Sequence, residues 1–460
     1  MERDFLSTIA AVSSPRGKGG VALIRISGEE AVAVASRCFS PRSGVNVADI
    51  KSRTAVFGDV TDGDGIVDDG MLTIFRAPAS YTGEDIAEIT CHGGVLVTQR
   101  VLEAVFKAGA TPAAAGEFTR RAFVNGKLSL TKAEAVGEIL EAKSDAQLKV
   151  AASQRRGVLS ESIEAAAKEL VALVAAVYAK IDYPDEDLAE ISDSEFTNRA
   201  LTVLKKLETL KGTYRAGSAI FEGVKTVICG APNRGKSSLY NAIAGEDAAI
   251  VTDVAGTTRD VLERDIPLGN VLLHLTDTAG IHETSDTVEQ IGVMRAEEKL
   301  REAELIMLVL DGSEKLEKED FALIETLKDT SAPKIAVINK CDKATANIEL
   351  PCGIFSETVR ISAKNGEGIA DLKNAVEKLF FADEINTASD AIVSSARQFA
   401  SLDEASARIN DAINLVRSGL PADLAASDLE RAIAALDELD GRRVCEDVVS
   451  EIFSKFCVGK

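Results

Sequence analysis

Hydrophobic and polar positions change rhythm three times along this chain. In residues 1–122, short β-branched or alternating runs at 20–27, 54–60, 71–76 and 85–91 predict strands. The Asp/Gly cluster at 61–70 reads as a turn region, because those residues suit tight turns. Residues 95–108 carry helical spacing and stop at Gly109. From Ser129 to Tyr183 the chain becomes Ala-, Leu- and Glu-rich. Within it Leu159, Ile163, Ala166, Leu170, Leu173 and Val177 recur at steps of three and four, the mark of one buried helix face. Tyr183-Pro184-Asp185 ends that stretch, and 194–214 predicts a further helix.

Beyond Gly223, apolar runs at 224–229, 271–275, 305–310, 335–338 and 359–361 alternate with helical segments. That alternation implies βαβ crossovers and a mostly parallel sheet. Helical patterns resume at 392–418 and 421–455. Helices on both sides of an α/β unit point to an insertion, with two separate helical pieces as the alternative. The expected fold class is therefore multidomain. An N-terminal α+β domain covers 1–122, the first part of a helical domain 123–217, an inserted P-loop α/β domain 218–381, and the second helical part 382–460.

Composition adds constraints. A chain of 460 residues exceeds one ordinary core, and 46% apolar with 27% charged residues is globular. No apolar run reaches the ~20 residues that a membrane-spanning helix needs, and the first residues lack the apolar core of a secretory signal, so a cytoplasmic location is expected. Seven cysteines form no C-x-x-C pair and there are only three histidines, which argues against a zinc site. The net charge of −21 argues against a broad nonspecific nucleic-acid binder and leaves room for a local basic patch or a basic partner.

The chemistry concentrates after residue 229. Gly230-Ala231-Pro232-Asn233-Arg234-Gly235-Lys236-Ser237 fits G-x-x-x-x-G-K-[ST] directly after a predicted strand. Glycines there let backbone amides close around phosphate oxygens; Lys236 would reach the β- and γ-phosphates and the Ser237 hydroxyl would ligate magnesium. A helix starting near Ser238 would aim its positive end at the same phosphates. Asp277-Thr278-Ala279-Gly280 follows the strand at 271–275 and offers a magnesium-side aspartate. Asn339-Lys340-Cys341-Asp342 follows the strand at 335–338, and Asp342 can accept two hydrogen bonds from guanine, a donor pair that adenine lacks. Ser362-Ala363-Lys364 would back the base with a backbone amide. All four lie where a parallel sheet binds ligands, at strand C-termini. They predict GTP binding and hydrolysis.

This quartet resembles the translation-factor-related GTPases. Ala231-Pro232-Asn233 and Gly256-Thr257-Thr258-Arg259-Asp260 are similar to the TrmE-type branch, that of bacterial tRNA-modification GTPases. Phe456-Cys457-Val458-Gly459-Lys460 matches that branch's C-x-G-K signature. Thr82-Gly83-Glu84-Asp85, His92-Gly93-Gly94 and Gly116-Glu117-Phe118-Thr119-Arg120-Arg121-Ala122-Phe123 resemble its N-terminal module. The resemblance covers essentially the whole chain.

What it implies goes further than the residues alone. Ile281 after Gly280 cannot orient water as the Gln of Ras-type enzymes does. The resemblance implies a potassium ion held by Asn233, Thr252, Val254 and Thr257 in place of an arginine finger, and Glu289 positioning the attacking water. The loop Thr252, Asp253, Val254, Ala255, Gly256, Thr257 and Thr258 would contact GTP, with Thr258 a second magnesium hydroxyl. His282 departs from the Arg that relatives often carry there, which leaves any role for that side chain open. The N-terminal module is implied to bind a tetrahydrofolate one-carbon derivative through Arg25, Glu88, Lys127 and Lys460 and to hold a homodimer. Cys457 would lie near the one-carbon unit. Taken singly, Arg25 and Lys127 read as surface cations, Glu289 as a solvated acid, and His92 as a turn histidine. The implied function is modification of tRNA wobble uridine at carbon 5 with an FAD-dependent partner. A ribosome-assembly GTPase switch is the alternative.

Overall fold

The computed structural model describes residues 7–15, 17–182, 191–247, 263–276, 300–343, 348–381, 386–387 and 389–460. The chain divides into two units, residues 1–137 with 437–460 and residues 138–436.

The first unit is built on seven strands: β1 (Ile9–Val12), β2 (Val21–Ser27), β3 (Phe39–Pro41), β4 (Ala55–Thr61), β5 (Ile66–Phe75), β6 (Ile86–His92) and β7 (Thr111–Pro112), in the order β3-β4-β5-β6-β2-β1-β7. Alternation along β2 and β6 turns Ile24, Ile26, Ala87 and Ile89 to one face. There they meet Val101, Ala104 and Val105 of the helix Val95–Lys107 and Ala31 to Ala35 of the helix Ala31–Cys38. Burying each such isoleucine contributes about 1.5–3 kcal/mol. The opposite face receives Arg25 and Glu88, which stand directly across from one another in the β2–β6 register. A smaller apolar cluster of Ile9, Ala11, Phe118 and Tyr81 completes this unit.

Residues 437–460 belong to this unit rather than to the helices before them. The expected continuous helix at 421–455 is two helices, Ala422–Asp440 and Glu446–Ser454. Gly441 interrupts them with φ +86°, and a Cβ there would meet Leu130 and Phe123, so the chain turns where only glycine fits. Val449 and Phe453 then pack on Leu130 and Ala133.

In the second unit the face predicted at Leu159, Ile163, Ala166, Leu170, Leu173 and Val177 lies buried along the helix Val158–Asp182. The helix Asp193–Gly212 packs against both that helix and Ala396–Arg417, on the far side of the α/β segment in sequence. The sheet comprises β8 (Val224–Cys229), β9 (Glu263–Leu268), β10 (Val271–Thr276), β11 (Leu305–Asp311), β12 (Lys334–Asn339) and β13 (Glu357–Arg360), ordered β13-β12-β11-β8-β10-β9. Every pairing is parallel except the edge hairpin β9–β10. β11 and β12 are buried throughout, which explains their continuous apolar runs.

Candidate functional site

The loop Gly230 to Lys236 leaves β8 between two close backbone approaches. Gly230 has φ +152° and a Cβ there would strike the Val309 carbonyl; Gly235 has φ +97° and a Cβ would strike Asn339 Nδ2. Asn233 adopts a left-handed φ of 62° without being glycine, a conformation asparagine tolerates. The helix Lys236–Asp247 begins at the lysine itself, two residues before the expected start, so its first-turn amides and the exposed Ser237 and Ser238 are at the loop mouth. Lys236 Nζ donates to the carbonyls of Gly230 (2.8 Å) and Ala231 (3.0 Å). Burial pushes its ammonium below the usual lysine range, with no carboxylate in the cause. A triphosphate would offset that penalty by supplying negative charge. Beneath the loop, burial pushes the Cys229 thiol up to about 12, which makes it inert.

Arg234 enters the loop on its other side. Its buried guanidinium bonds Asp320 (2.8 Å), Glu314 (2.9 Å) and Glu317 (2.9 Å), so any contact with nucleotide falls to its main chain.

The guanine elements meet the phosphate loop through Asn339. Its Nδ2 donates to the Arg234 carbonyl at 3.2 Å and its Oδ1 accepts the Ala363 amide at 3.0 Å. Lys340, also left-handed at φ 64°, donates to the Asn233 carbonyl at 2.8 Å and to Asp311. Burial pushes the Asp311 carboxyl up, yet hydrogen bonds from Lys340 and Ser313 outweigh it and hold the group at about 2. Asp342 is exposed; its Oδ1 accepts from the buried Ser362 hydroxyl at 2.7 Å, which keeps the carboxylate below its ordinary range and fixes its direction. Lys364 is exposed beside it. The structure thus brings Asn233, Arg234, Gly235, Lys236, Ser237, Asn339, Lys340, Asp342, Ser362 and Ala363 together at the ends of β8 and β12.

A second constellation lies in the first unit. Arg25 Nε donates to Glu88 Oε1 at 2.8 Å with both side chains largely covered, and the guanidinium sits over the rings of Tyr81 (5.5 Å) and Phe118 (5.6 Å). Lys460 joins them: burial first, then the Arg25 charge, pushes its ammonium down, while Glu88 opposes. Gly459 makes this possible. With φ +102° and no Cβ to strike the Val12 carbonyl, it lies on the β1 end, and its own carbonyl accepts from Ser13 Oγ at 2.8 Å. Val458 bridges Ala115, and Cys457 is exposed next to it. Lys127 Nζ bonds the Pro78 carbonyl at 2.9 Å, on the loop that leads to Tyr81. Deeper, fully buried Arg121 ties the two motif segments together through Glu84 (3.1 Å) and Glu117 (3.0 Å).

Comparison with known proteins decides the family. The family model described as the GTP-binding protein TrmE N-terminus matches residues 8–127, and the MnmE helical domain model matches residues 130–457. A tRNA modification GTPase MnmE of Lactobacillus helveticus is 40% identical over 458 residues, covering 98% of each chain. That of Bacillus subtilis is 39% identical over 463 residues, covering 99% of this chain and all of its own. The chain belongs to the MnmE family. It is a multidomain GTPase of that family, with the N-terminal and helical parts that the family models describe and, between 218 and 381, the six-stranded sheet with its phosphate loop.

For an MnmE-family protein, some expected site residues fall outside the described residues: Thr252 to Thr258, Asp277 to Gly280, His282 and Glu289. Other residues were absent from the sequence-based set. Asp311 ends β11 at the ligand side of the sheet, and an acid closing an all-apolar strand was the available signal. Tyr81 and Phe118 lie within or beside the quoted N-terminal motifs, but only the fold puts their rings under Arg25.

Proposed function

We propose that this chain is the GTP-hydrolysing component of a system that modifies carbon 5 of the tRNA wobble uridine, installing an aminomethyl-type group. It acts as a homodimer with an FAD-dependent partner and draws the one-carbon unit from a tetrahydrofolate derivative. The proposed organisation along the sequence is four segments, 1–122, 123–217, 218–381 and 382–460, of which 123–137 and 437–460 pack in the first unit. The observation that supports the modification half is the meeting of Arg25, Glu88 and Lys460 on a partly covered face bearing two aromatic rings. That arrangement has no use in GTP hydrolysis. Its two cations suit a folate's carboxylates, and Glu88 suits an amino-pyrimidine edge. Exposed Cys457 stands in the same C-terminal run.

In the nucleotide half, loop amides and Lys236 clamp the phosphates and Asp342 selects guanine. Ser237 and Thr258 would hold magnesium, and Asn233, Thr252, Val254 and Thr257 potassium; each ion supplies positive charge against the phosphates. Glu289 would orient the attacking water. Asn233 has its carbonyl fixed by Lys340, which leaves its side chain at the exposed loop mouth. Mass spectrometry of wobble uridines from cells lacking this protein tests the reading: loss of the carbon-5 group is expected. Unchanged nucleosides would favour a ribosome-assembly switch. Equal GTP turnover in potassium and sodium would remove the ion from the mechanism.

A further inference from the structure

One network outside both constellations ties the edge hairpin of the six-stranded sheet to the helices that precede it. His274 of β10 stands opposite Asp265 of β9 in the strand register, and its Nδ1 lies 2.6 Å from Asp265 Oδ1. Its Nε2 meets the main-chain carbonyl of Glu222, the residue that follows the helix Tyr214–Phe221. Lys143, shortly before the helix Asp145–Arg156, donates to Asp265 Oδ2 at 2.7 Å. Both ring nitrogens of His274 therefore face oxygen atoms, one on the neighbouring strand and one on the main chain after the helix Tyr214–Phe221. Burial raises the Asp265 carboxyl, but hydrogen bonds from Lys143 and His274 outweigh it and hold the group below its usual range. Gly223 completes the fit: at φ +78° it has no Cβ to collide with the imidazole.

The joint also has an apolar part, Ala146, Val150, Ile220 and Ile392 with Phe221 and Phe381. Apolar contact adheres without fixing direction. The ion-pair network supplies direction. Its members are half-open to solvent, with side-chain exposures of 34% for Asp265, 33% for His274 and 52% for Lys143. Pairs that exposed add little stability, so their geometry matters more than their energy. In sequence, β9 follows the Gly256 to Asp260 run and β10 leads straight into Asp277. The hairpin thus joins both γ-phosphate-side segments, and the network attaches it to helices outside the α/β part. At its turn the same hairpin has a separate anchor inside the α/β part, where Glu377 Oε1 accepts the Asn270 amide at 2.8 Å.

We propose that Lys143, Asp265, His274 and the Glu222 carbonyl form a coupling clasp that passes the nucleotide state of the α/β part to the helices Asp145–Arg156 and Tyr214–Phe221. These are positioning residues; none touches nucleotide. The proposal rests on the GTPase reading of the phosphate loop.

Hydrogen exchange on the full chain, with and without a nonhydrolysable GTP analogue, tests it. In the parent chain the analogue slows exchange both in the helix Lys236–Asp247 and in Tyr214–Phe221. In His274→Gln and Asp265→Asn the first response stays, while the second shrinks about three- to tenfold. Glu377→Ala, which removes the hairpin's acceptor inside the α/β part, retains both. Lys143→Met, at the exposed end of the network, replaces the other variants if they fail to fold. Three results would overturn the clasp: no response at Tyr214–Phe221 in the parent, an undiminished response in the clasp variants, or an equal loss in Glu377→Ala. No protection of Lys236–Asp247 in the parent would overturn the nucleotide reading itself.

Discussion

The phosphate loop and the Arg25–Glu88–Lys460 group both place cations where an anionic ligand can reach them, but they are assembled differently. Gly230 to Lys236 is one unbroken stretch, shaped by glycines and its own helix start. Arg25 and Glu88 are 63 positions apart and meet because β2 pairs with β6. Lys460 arrives only because Gly459 lies against the β1 end, with a hydrogen bond to Ser13 spanning 446 positions. A site written in consecutive residues depends on backbone conformation within one turn. A site assembled across strands depends on register and on the seating of a distant segment, so the two should fail under different substitutions.

The largest separation is expected from Lys236→Ala. Calorimetry should show GTP affinity falling about 100-fold or more, roughly 3 kcal/mol, with folate affinity unchanged. Next comes Asp342→Ala: competition binding should show the preference for guanosine over adenosine triphosphate reduced about 100-fold, since an unpaired polar edge is what a selective site penalises. Gly459→Ala acts on the other side of the comparison. It adds a Cβ at φ +102° against the Val12 carbonyl, and titration with a reduced folate should show about tenfold weaker binding while GTP turnover holds. Lys460→Ala should give the smallest effect, a roughly threefold loss of folate affinity, in line with one partly screened charge. A GTP defect in Gly459→Ala would erase the distinction between the two sites.

Sequence periodicity located the central strands of the six-stranded sheet most cleanly, because β11 and β12 are buried throughout and read as apolar runs, while β8 is interrupted only by the exposed Lys225. It missed β9, where Arg264, Asp265 and Pro267 interleave with Ile266 and Leu268, the two described residues that the strand buries in the core. It also ran two helices together across Gly441, although that glycine is a left-handed helix C-cap, with the Arg442 amide donating to the Asp437 carbonyl and the Gly441 amide to that of Glu438. In the nucleotide site the motif letters were legible, but their cross-links were not. Asn339 bridging Arg234 and Ala363, and Asp311 holding Lys340, join residues from different crossovers. Arg234 looked like one more phosphate-loop position; its three carboxylate partners come from the segment around the helix Lys318–Lys328.

The assignment of residues 437–460 to the first unit has a consequence for how a ribosome makes this protein. Domains ordinarily mature in the order they emerge, at roughly 5–20 residues per second. Here Leu130 and Ala133 lack the support of Val449 and Phe453, and the β1 end that of Gly459, until residues 138–436 have been synthesised. The cluster around Leu130 and Ala133 must wait for its partners while the intervening residues are translated.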